Sequence, residues 1–280
     1  MKDIIFSSKF FNIKDTLECG QVFRYIEYEK GYLIISKDKC CYAYNDGEKV
    51  VIKSDDYDYF FNYFDLSTDY EKIVENACAF KDDFISACAD LSKGVRILKQ
   101  DLLETAFSFI ISQNNNISRI KNTIEKLSLL LGEKRTFLNA TYYTFPSAKS
   151  LANASDELLK STGLGYRSQY LKEFACQVDG GLDISSFNSL STSELLSALI
   201  KIKGIGKKVA NCIALFGYGR TDSFPVDTWI EKVYKENLKG KNISRDCISN
   251  ELIQKYGNLS GYIQQYLFYY KRSLEKGSNK

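Results

Sequence analysis

Two adjacent lysines, Lys207 and Lys208, follow a Gly-Ile-Gly turn and open an apolar segment in the stretch KIKGIGKKVANC. On a helical wheel of about 100° per residue, one face is apolar and consists of Val209, Cys212, Ile213 and Phe216. Lys207 lies nearly opposite the centre of this face, whereas Lys208 lies at its edge. Partial burial disfavours the ammonium form of a lysine, and the neutral amine is the form that acts as a nucleophile. The spacing therefore predicts Lys208 as a nucleophile and Lys207 as a residue that faces solvent or phosphate.

A carboxylate suited to the same chemistry occurs in the downstream segment FPVDTW. Asp227 follows the rigid Pro225 and begins a predicted helix, where it can cap the helix and also face a site. Capping alone is the simpler alternative. The chain contains no histidine, which excludes a Ser-His-Asp triad, a histidine general base and histidine-ligated metals. Lys, Asp, Glu, Cys or Tyr must therefore carry out any proton transfer or bond making.

The lysines belong to a segment, residues 191–219, whose pattern predicts a helix, a tight turn and a second helix. Gly204 and Gly206 permit positive φ and allow another backbone to approach closely. The first N–H groups of the second helix are unpaired and can bind a phosphate with help from the helix dipole. The hairpin would then bind a DNA backbone without regard to sequence, and Lys207 would add phosphate affinity. A plain helical turn is the alternative that a lone Gly-x-Gly favours.

The pattern around these residues changes along the chain. Up to about residue 90 it is rich in short aromatic and β-branched runs with Gly or Asp-Gly turns, and NDGEK is a hairpin signal. From about Asp69 most segments open with Ser, Thr, Asn or Asp and close near Gly, as capped helices do. We therefore predict an α+β protein, with a small antiparallel β-rich domain at residues 1–95 and a larger all-helical domain at residues 96–280.

Charge, hydropathy and cysteine content indicate the kind of partner and the cellular compartment. The net charge is +3, but residues 1–93 carry 12 Lys/Arg and 18 Asp/Glu, which leaves 26 and 17 for residues 94–280. This asymmetry suggests that one part of the chain meets a polyanion, and two solvated surfaces of opposite sign are the alternative. No apolar run approaches the ~18 residues of a membrane span, and no signal-peptide core is visible. The 8 cysteines form no C-x-x-C pair, so we predict reduced thiols and a cytoplasmic protein.

Taken together, several separated motifs resemble the helix-hairpin-helix DNA glycosylase superfamily and, within it, a bacterial-type member of the 8-oxoguanine DNA glycosylase/AP lyase family. The resemblance covers nearly the whole chain. Besides the G-I-G turn with its lysine and F-P-V-D, the matching segments are LECGQVFRY, SFIISQNNNISRI, TGLGYRSQYL and GYIQQYLFYY. It implies a β domain like half of TATA-binding protein, followed by two helical lobes with the active site in the cleft between them.

The resemblance implies a base-excision-repair enzyme that flips 8-oxoguanine out of double-stranded DNA, excises it and cleaves the strand by β-elimination. Lys208 matches the lysine that attacks the sugar C1′ and forms a Schiff base. Asp227 matches the aspartate that stabilises positive charge on the sugar. Helix-wheel position and resemblance thus select the same lysine.

The resemblance also assigns the residues that recognise the damaged base. The carbonyl of Gly20 would accept a hydrogen bond from N7–H, which guanine lacks. Cys212 and Phe268 would sandwich the base, and Gln264 would contact its Watson–Crick edge. Gln264 and Phe268 are four residues apart on one predicted helix and so face the same way. A turn between strands at Gly20, and plain core packing for the aromatic stripe, are the alternatives.

Four further residues match the group that recognises the base opposite the lesion. Asn114, Arg119 and Arg167 would contact the estranged cytosine, whose O2 and N3 acceptors suit arginine donors. Tyr166 would be the wedge that fills the gap left by the flipped base. A polar turn at QNNN and a surface charge in YRSQY are the alternatives.

The chain departs from the family pattern at Trp229, where eukaryotic members have a histidine that the resemblance associates with a phosphate contact. No C-terminal cysteine cluster occurs, so we expect no iron–sulfur cluster and no other cofactor, with the hairpin carbonyls as a candidate cation site. We expect a monomer that associates with the nucleoid. An alkylpurine glycosylase is one alternative, but those enzymes act without the lysine. A non-catalytic DNA-binding module is the other, and it would have no need of Asp227.

Overall fold

The computed structural model describes residues 2–278 of the chain. Five strands form an antiparallel sheet with the order β1-β5-β4-β3-β2, and two more form a separate β-hairpin. The strands are β1 (Lys2–Ser7), β2 (Tyr25–Tyr28), β3 (Gly31–Ser36), β4 (Lys39–Asp46), β5 (Lys49–Ser54), β6 (Lys134–Phe137) and β7 (Ala140–Tyr143). Ile4 pairs with Ile52 between β1 and β5, and Tyr25 pairs with Ile34 between β2 and β3.

Helices make up most of the remaining chain. They are α1 (Ile13–Glu18), α2 (Tyr57–Tyr63), α3 (Tyr70–Cys78), α4 (Asp83–Leu91), α5 (Leu102–Ile111), α6 (Ile117–Leu131), α7 (Ala148–Asn153), α8 (Asp156–Ser161), α9 (Arg167–Asp179), α10 (Thr192–Ile200), α11 (Lys207–Phe216), α12 (Thr228–Glu236), α13 (Arg245–Tyr256) and α14 (Ser260–Ser278). Two short 3-10 helices cover Ile184–Ser189 and Gly257–Leu259. Among the residues described, no helix has the length and apolar character needed to cross a membrane.

The α+β class predicted from the sequence is confirmed, and so is the turn at NDGEK, where Gly47 and Glu48 join β4 to β5 with a φ of 59° at Gly47. The structure adds two features that the sequence did not indicate. Helix α1 lies between β1 and β2, and helix α2 follows β5 within the region predicted as β-rich. The β6–β7 hairpin lies within the region predicted as all helical.

The chain folds into two compact units. The first unit comprises the described residues within Met1–Val22, Ala43–Lys99 and Gly219–Lys280, and the second unit comprises Phe23–Tyr42 and Gln100–Tyr218. The division into domains at residues 95 and 96 stays a prediction.

Each unit has its own core. In the first unit, apolar side chains from α3, α4, α12, α13 and α14 pack into one cluster with Phe224, which precedes α12; the helical members include Tyr70, Ile85, Ile230 and Tyr266. In the second unit, aromatic rings join the central helices: Phe107 of α5 lies 4.9 Å from Phe174 of α9, between ring centroids. Phe109 of α5 stacks on Phe216 of α11 at 5.4 Å. These cores fix the helix ends that carry the candidate site residues.

Candidate functional site

The predicted helix-turn-helix segment is present in the second unit as α10, a tight turn and α11. Gly204 adopts a φ of 88°, and a Cβ built on it would lie 2.5 Å from the Cβ of Tyr170. Only glycine fits there, because the conformation and the close approach both exclude a side chain. Gly206 differs: its φ is −85°, a built Cβ would meet no atom within 4 Å, and it caps α11 without a side-chain hydrogen bond. The backbone at Gly206 is therefore open to approach from outside.

The two lysines at the start of α11 have different surroundings, as the helical wheel predicts. Lys207 is exposed and Lys208 is half-buried. The Nζ atom of Lys208 lies 5.5 Å from the centroid of the Phe109 ring, on the apolar core of the second unit. Cys212, four residues further along α11, is 3% exposed. The structure thus places Lys208 in a partly apolar environment, whereas Lys207 is exposed.

The Asn-rich segment QNNN forms the turn between α5 and α6. Asn114 is exposed and has a φ of 44°, and the side chain of Asn116 caps α6 by accepting a hydrogen bond from the N–H of Arg119 at 2.9 Å. The Gln113 amide donates to the carbonyl of Gly204 at 2.8 Å. Gln113 thereby holds the Asn-rich turn to the hairpin turn. The sequence motif contains this residue, but nothing in its pattern indicates the contact.

The two arginines predicted to contact the opposite base differ in burial. Arg119 is exposed. Arg167 is 5% exposed, and its guanidinium donates to three backbone carbonyls, those of Gln113 (2.6 Å), Asn114 (2.7 Å) and Leu164 (3.2 Å). Arg167 therefore organises the Asn114 turn, a role that the sequence did not reveal.

Tyr166, the predicted wedge, is 54% exposed although it is a large aromatic residue. The guanidinium carbon of Arg167 lies 4.6 Å from the centroid of its ring. The second unit therefore brings together Asn114, Tyr166 and Arg167 in one place, with Arg119 on the helix that follows the same turn.

In the first unit, Asp227 is the N-cap of α12, as predicted. Its Oδ1 atom accepts hydrogen bonds from the N–H groups of Trp229 and Ile230, both at 2.9 Å. The core position of Ile230, which is fully buried, anchors this first helical turn. On α14, Gln264 is 4% exposed and donates to the carbonyl of Pro225 at 3.3 Å. The FPVD segment is therefore held from both sides, by its own helix and by Gln264.

Gly20 lies between α1 and β2 with a φ of 82°, and so the alternative of a turn between two strands is wrong. A Cβ built on Gly20 would lie 2.7 Å from Cε1 of Phe268, which shows that the glycine backbone touches the predicted base-stacking ring. The ring of Phe268 is itself stacked on Trp229 at 5.7 Å between centroids. Gly20, Phe268 and Trp229 thus form one cluster in the first unit.

The loop that carries Gly20 is fixed by Gln21, which sequence reasoning missed. Gln21 is fully buried, and its amide accepts from the N–H of Leu98 at 2.8 Å and donates to the carbonyls of Arg96 (2.7 Å) and Thr16 (3.0 Å). A buried glutamine that satisfies its amide with backbone partners can hold a loop in one conformation. The carbonyl of Gly20 is therefore on a well-supported stretch of backbone.

All eight cysteines are free thiols. Burial raises the pKa of the Cys19 thiol to about 12, so this residue next to Gly20 is neutral at physiological pH. Among the side chains that the structure describes, residues 3–274, no group of three or more Cys, Asp or Glu is placed to hold a metal ion. The expectations about an iron–sulfur cluster and about a cation at the hairpin carbonyls stay predictions.

Comparison with known proteins selects the same family as the sequence motifs, and the matches cover most of the chain. Residues 3–106 match the family described as 8-oxoguanine DNA glycosylase, N-terminal domain, and residues 107–256 match the HhH-GPD superfamily base excision DNA repair protein family. A probable N-glycosylase/DNA lyase of Methanothermobacter thermautotrophicus is 31% identical over 229 residues, which span 75% of this chain and 72% of that protein.

Two solved structures are also similar over almost the full length. The structure of MBOgg1 in complex with a low-affinity DNA ligand is 36% identical with a TM-score of 0.92, covering 98% of this chain and 97% of that one. Clostridium acetobutylicum 8-oxoguanine glycosylase/lyase, in complex with double-stranded DNA containing cytosine opposite 8-oxoG, is 34% identical with a TM-score of 0.91, covering 98% and 96%. The chain therefore belongs to the 8-oxoguanine DNA glycosylase/DNA lyase family, within the HhH-GPD superfamily of base excision DNA repair proteins.

Proposed function

We propose that this chain excises 8-oxoguanine from double-stranded DNA and cleaves the strand, with Lys208 as the nucleophile. The observation that carries the proposal is the difference between two neighbouring lysines in a family of glycosylase/lyases. Lys207 is exposed, whereas Lys208 is half-buried with its Nζ 5.5 Å from the Phe109 ring centroid. Only Lys208 is partly buried against an aromatic ring of the core of the second unit.

The proposed reaction begins with attack of the Lys208 amine on the sugar C1′. The bond from C1′ to N9 breaks and its electron pair leaves with the base, which takes up a proton. Opening of the sugar ring then gives a Schiff base between Lys208 and C1′. Loss of a proton from C2′ and departure of the 3′ phosphate cleave the strand by β-elimination. Covalent catalysis of this kind divides one difficult step into easier ones.

Asp227 supports this chemistry by stabilising the positive charge that develops on the sugar. Both cap hydrogen bonds to Asp227 are accepted by Oδ1. We propose that Oδ2, the other oxygen of the carboxylate, faces the sugar and stabilises its positive charge. A preorganised carboxylate of this kind acts without reorganisation during the reaction.

The flipped base would be recognised by the residues that the family resemblance selects. The carbonyl of Gly20 accepts from N7–H, Phe268 and Cys212 stack on the two faces of the base, and Gln264 contacts its Watson–Crick edge. Gly20 supports this role because its backbone touches the Phe268 ring. Discrimination then rests on N7, a donor in 8-oxoguanine and an acceptor in guanine.

The opposite base would be recognised from the second unit. We assign Asn114, Arg119 and Arg167 to an estranged cytosine and Tyr166 to the gap in the duplex, and we propose a preference for cytosine over adenine. The open backbone at Gly206, with the charge of Lys207 beside it, would bind a phosphate.

We further propose that the enzyme acts as a monomer in the cytoplasm and nucleoid. In this proposal it has no iron–sulfur cluster and no membrane attachment, and the hairpin carbonyls accept a cation.

Borohydride trapping tests the proposal. The wild-type protein, incubated with a duplex containing 8-oxoguanine opposite cytosine and reduced with borohydride, should form a covalent adduct and should nick the strand. Lys208→Gln should abolish both while retaining damaged-DNA binding. Lys207→Gln is the matched control: it should keep trapping but weaken binding and flatten its salt dependence. The absence of a wild-type adduct, or an exchange of phenotypes between the two variants, would contradict the assignment.

A further inference from the structure

Arg272 lies on α14 one helical turn after Phe268 and two turns after Gln264, so the three side chains share one face of the helix. Its guanidinium reaches the Gly20 backbone. A Cβ built on Gly20 would lie 3.7 Å from Nη1 of Arg272, next to its contact with the Phe268 ring. Arg272 therefore borders the same small space as the two residues assigned to the damaged base, although no family motif selects it.

The Nη1 atom of Arg272 is buried, and within the described residues it has no hydrogen-bond partner. Buried donors of this kind are rare in native proteins, and they are costly when charged. The adjacent Lys271 differs because it pairs with Glu236, at 3.4 Å between Nζ and Oε2. The nearby Cys19 thiol cannot supply a counter-charge, because burial raises its pKa to about 12. Nη1 is therefore a donor whose acceptor is not part of the described chain.

We propose that Arg272 is a specificity-determining residue that donates from Nη1 to O8 of the flipped 8-oxoguanine. This inference rests on the proposed function. The edge of 8-oxoguanine that carries N7–H presents three hydrogen-bonding groups. O6 and O8 are acceptors, and N7–H between them is a donor. The carbonyl of Gly20 takes N7–H, and Gln264 takes the Watson–Crick edge, which contains O6. O8 is then the acceptor left for a donor beside Gly20.

The same contact would discriminate against undamaged guanine. Guanine has a C–H group in place of O8, so Nη1 would stay buried and unpartnered in a complex with guanine. The Gly20 carbonyl and Arg272 would therefore test both atoms that oxidation changes: the carbonyl tests N7, and the guanidinium tests C8. A phosphate oxygen of the flipped nucleotide is a competing acceptor for Arg272, and the experiment must separate the two.

The test compares a substrate with a base and a substrate without one. Arg272→Met removes the guanidinium but keeps a long side chain, and Lys271→Met removes the neighbouring charge as a matched control. For each variant, single-turnover rates are measured on a duplex with 8-oxoguanine opposite cytosine and on the same duplex with a preformed abasic site. The abasic duplex has the phosphates and the sugar but lacks O8, and its cleavage also shows that the variant is folded.

We expect Arg272→Met to slow excision of 8-oxoguanine by at least about tenfold, because it removes one hydrogen bond from a charged group. The rate of abasic-site cleavage should stay within about twofold of the wild-type rate. Arg272→Lys should recover part of the loss, and Lys271→Met should change neither rate. Equal loss on both substrates would overturn the proposal in favour of a phosphate contact, and no loss on either would reduce Arg272 to a structural residue. A wild-type protein that cleaves neither substrate would instead refute the proposed function.

The assignment of the contact to O8 is tested by measuring DNA binding in proteins that also carry Lys208→Gln, which should prevent the reaction. Duplexes containing 8-oxoadenine keep O8 and N7–H but have an amino group in place of O6. Arg272→Met should weaken binding of this duplex relative to an abasic analogue. An unchanged ratio would mean that the contact to 8-oxoguanine is made through O6, and the assignment to O8 would be wrong.

Discussion

Trp229 and Phe268 stack on each other, with ring centroids 5.7 Å apart and planes inclined by 23°. Trp229 stands in the first turn of α12, two residues after the Asp227 cap, whereas Phe268 lies in the middle of α14. The stack therefore joins the start of the helix that Asp227 caps to the residue assigned to the damaged base. A histidine at this position in eukaryotic members would have a smaller ring and a titratable nitrogen. In this chain the tryptophan ring instead packs against the face of Phe268.

Intrinsic fluorescence should report on the base pocket, because Trp229 is the only tryptophan in the chain. With Lys208→Gln to prevent reaction, we expect a duplex containing 8-oxoguanine to change the Trp229 emission, because a base that stacks on Phe268 alters the neighbouring ring. An undamaged duplex should change it much less. Phe268→Leu is the control and should remove most of the difference. Identical responses to damaged and undamaged DNA would show that no base reaches this cluster.

Gly204 and Gly206 form a matched pair for testing the hairpin. Gly204→Ala places a side chain at a φ of 88° and 2.5 Å from Tyr170 Cβ, so we expect the free energy of unfolding to fall by about 2 kcal/mol or more. Gly206→Ala has an ordinary φ and open space, and should cost no more than about 1 kcal/mol. Denaturant unfolding measures both.

DNA affinity should show a different effect from stability, and it is measured on Gly206→Ala. Gly206→Ala adds a methyl group where a phosphate would approach the start of α11, so its affinity for undamaged duplex should fall although its stability is nearly unchanged. Wild-type affinity in this variant would contradict a phosphate at Gly206 and leave the hairpin with a structural role only.

Local patterns in the sequence were sufficient to predict α11. Its apolar face, its first residue and the different exposure of Lys207 and Lys208 all follow from helical spacing over ten residues. The same holds for the Asp227 cap, which follows from Pro225 and the helical pattern after it. Features that depend on neighbouring residues in the chain could be predicted because the physics that creates them is local.

Contacts between distant parts of the chain could not be predicted in this way. Gln113 donates to a carbonyl 91 residues away, and Gln21 accepts from an N–H group 77 residues away. Neither glutamine belongs to a spacing that would mark it. The β6–β7 hairpin was missed for a different reason: its two-residue turn, Leu138–Asn139, has its positive φ of 52° at Leu138, where glycine or asparagine is usual. A leucine in this conformation gives no turn signal.

Asp227→Asn should separate helix capping from catalysis. Asparagine caps helices about as well as aspartate, so the melting temperature should stay close to that of the wild type. The loss of charge should slow base excision by about 10²–10³-fold, as for other preorganised electrostatic groups. Asp227→Ala is the comparison, because it also removes the cap and should cost about 1 kcal/mol of stability. Equal excision by wild type and Asp227→Asn would limit Asp227 to capping.

Thiol reactivity should follow burial. Burial raises the pKa values of Cys19, Cys40 and Cys88 to about 12, so these thiols should stay protonated and unreactive in the native protein at pH 8. Cys176 and Cys247 are exposed and should react first with iodoacetamide. Peptide mapping after brief labelling measures the order. Early modification of Cys19 would show that the Gly20 loop opens in solution.

The two arginines assigned to the opposite base should give different phenotypes. Arg119 is exposed, and the α6 cap uses its backbone N–H, so Arg119→Ala should leave stability unchanged. Arg167 donates to three backbone carbonyls, and Arg167→Ala should therefore cost about 2 kcal/mol or more and slow excision whatever the opposite base. Melting temperatures of both variants test this difference first.

Base preference then tests Arg119 directly. Cytosine offers O2 and N3 acceptors to a guanidinium, whereas adenine places an amino donor on the same edge and needs more space beside Tyr166. One unpartnered buried donor costs ~1–3 kcal/mol, so the wild type should excise 8-oxoguanine opposite cytosine at least about tenfold faster than opposite adenine. Arg119→Ala should lose most of this ratio by losing rate opposite cytosine. Single-turnover rates on the four opposite-base duplexes decide between the outcomes. Equal wild-type rates opposite cytosine and adenine would mean that neither arginine contacts the estranged base and that Arg167 serves only to hold the Asn114 turn.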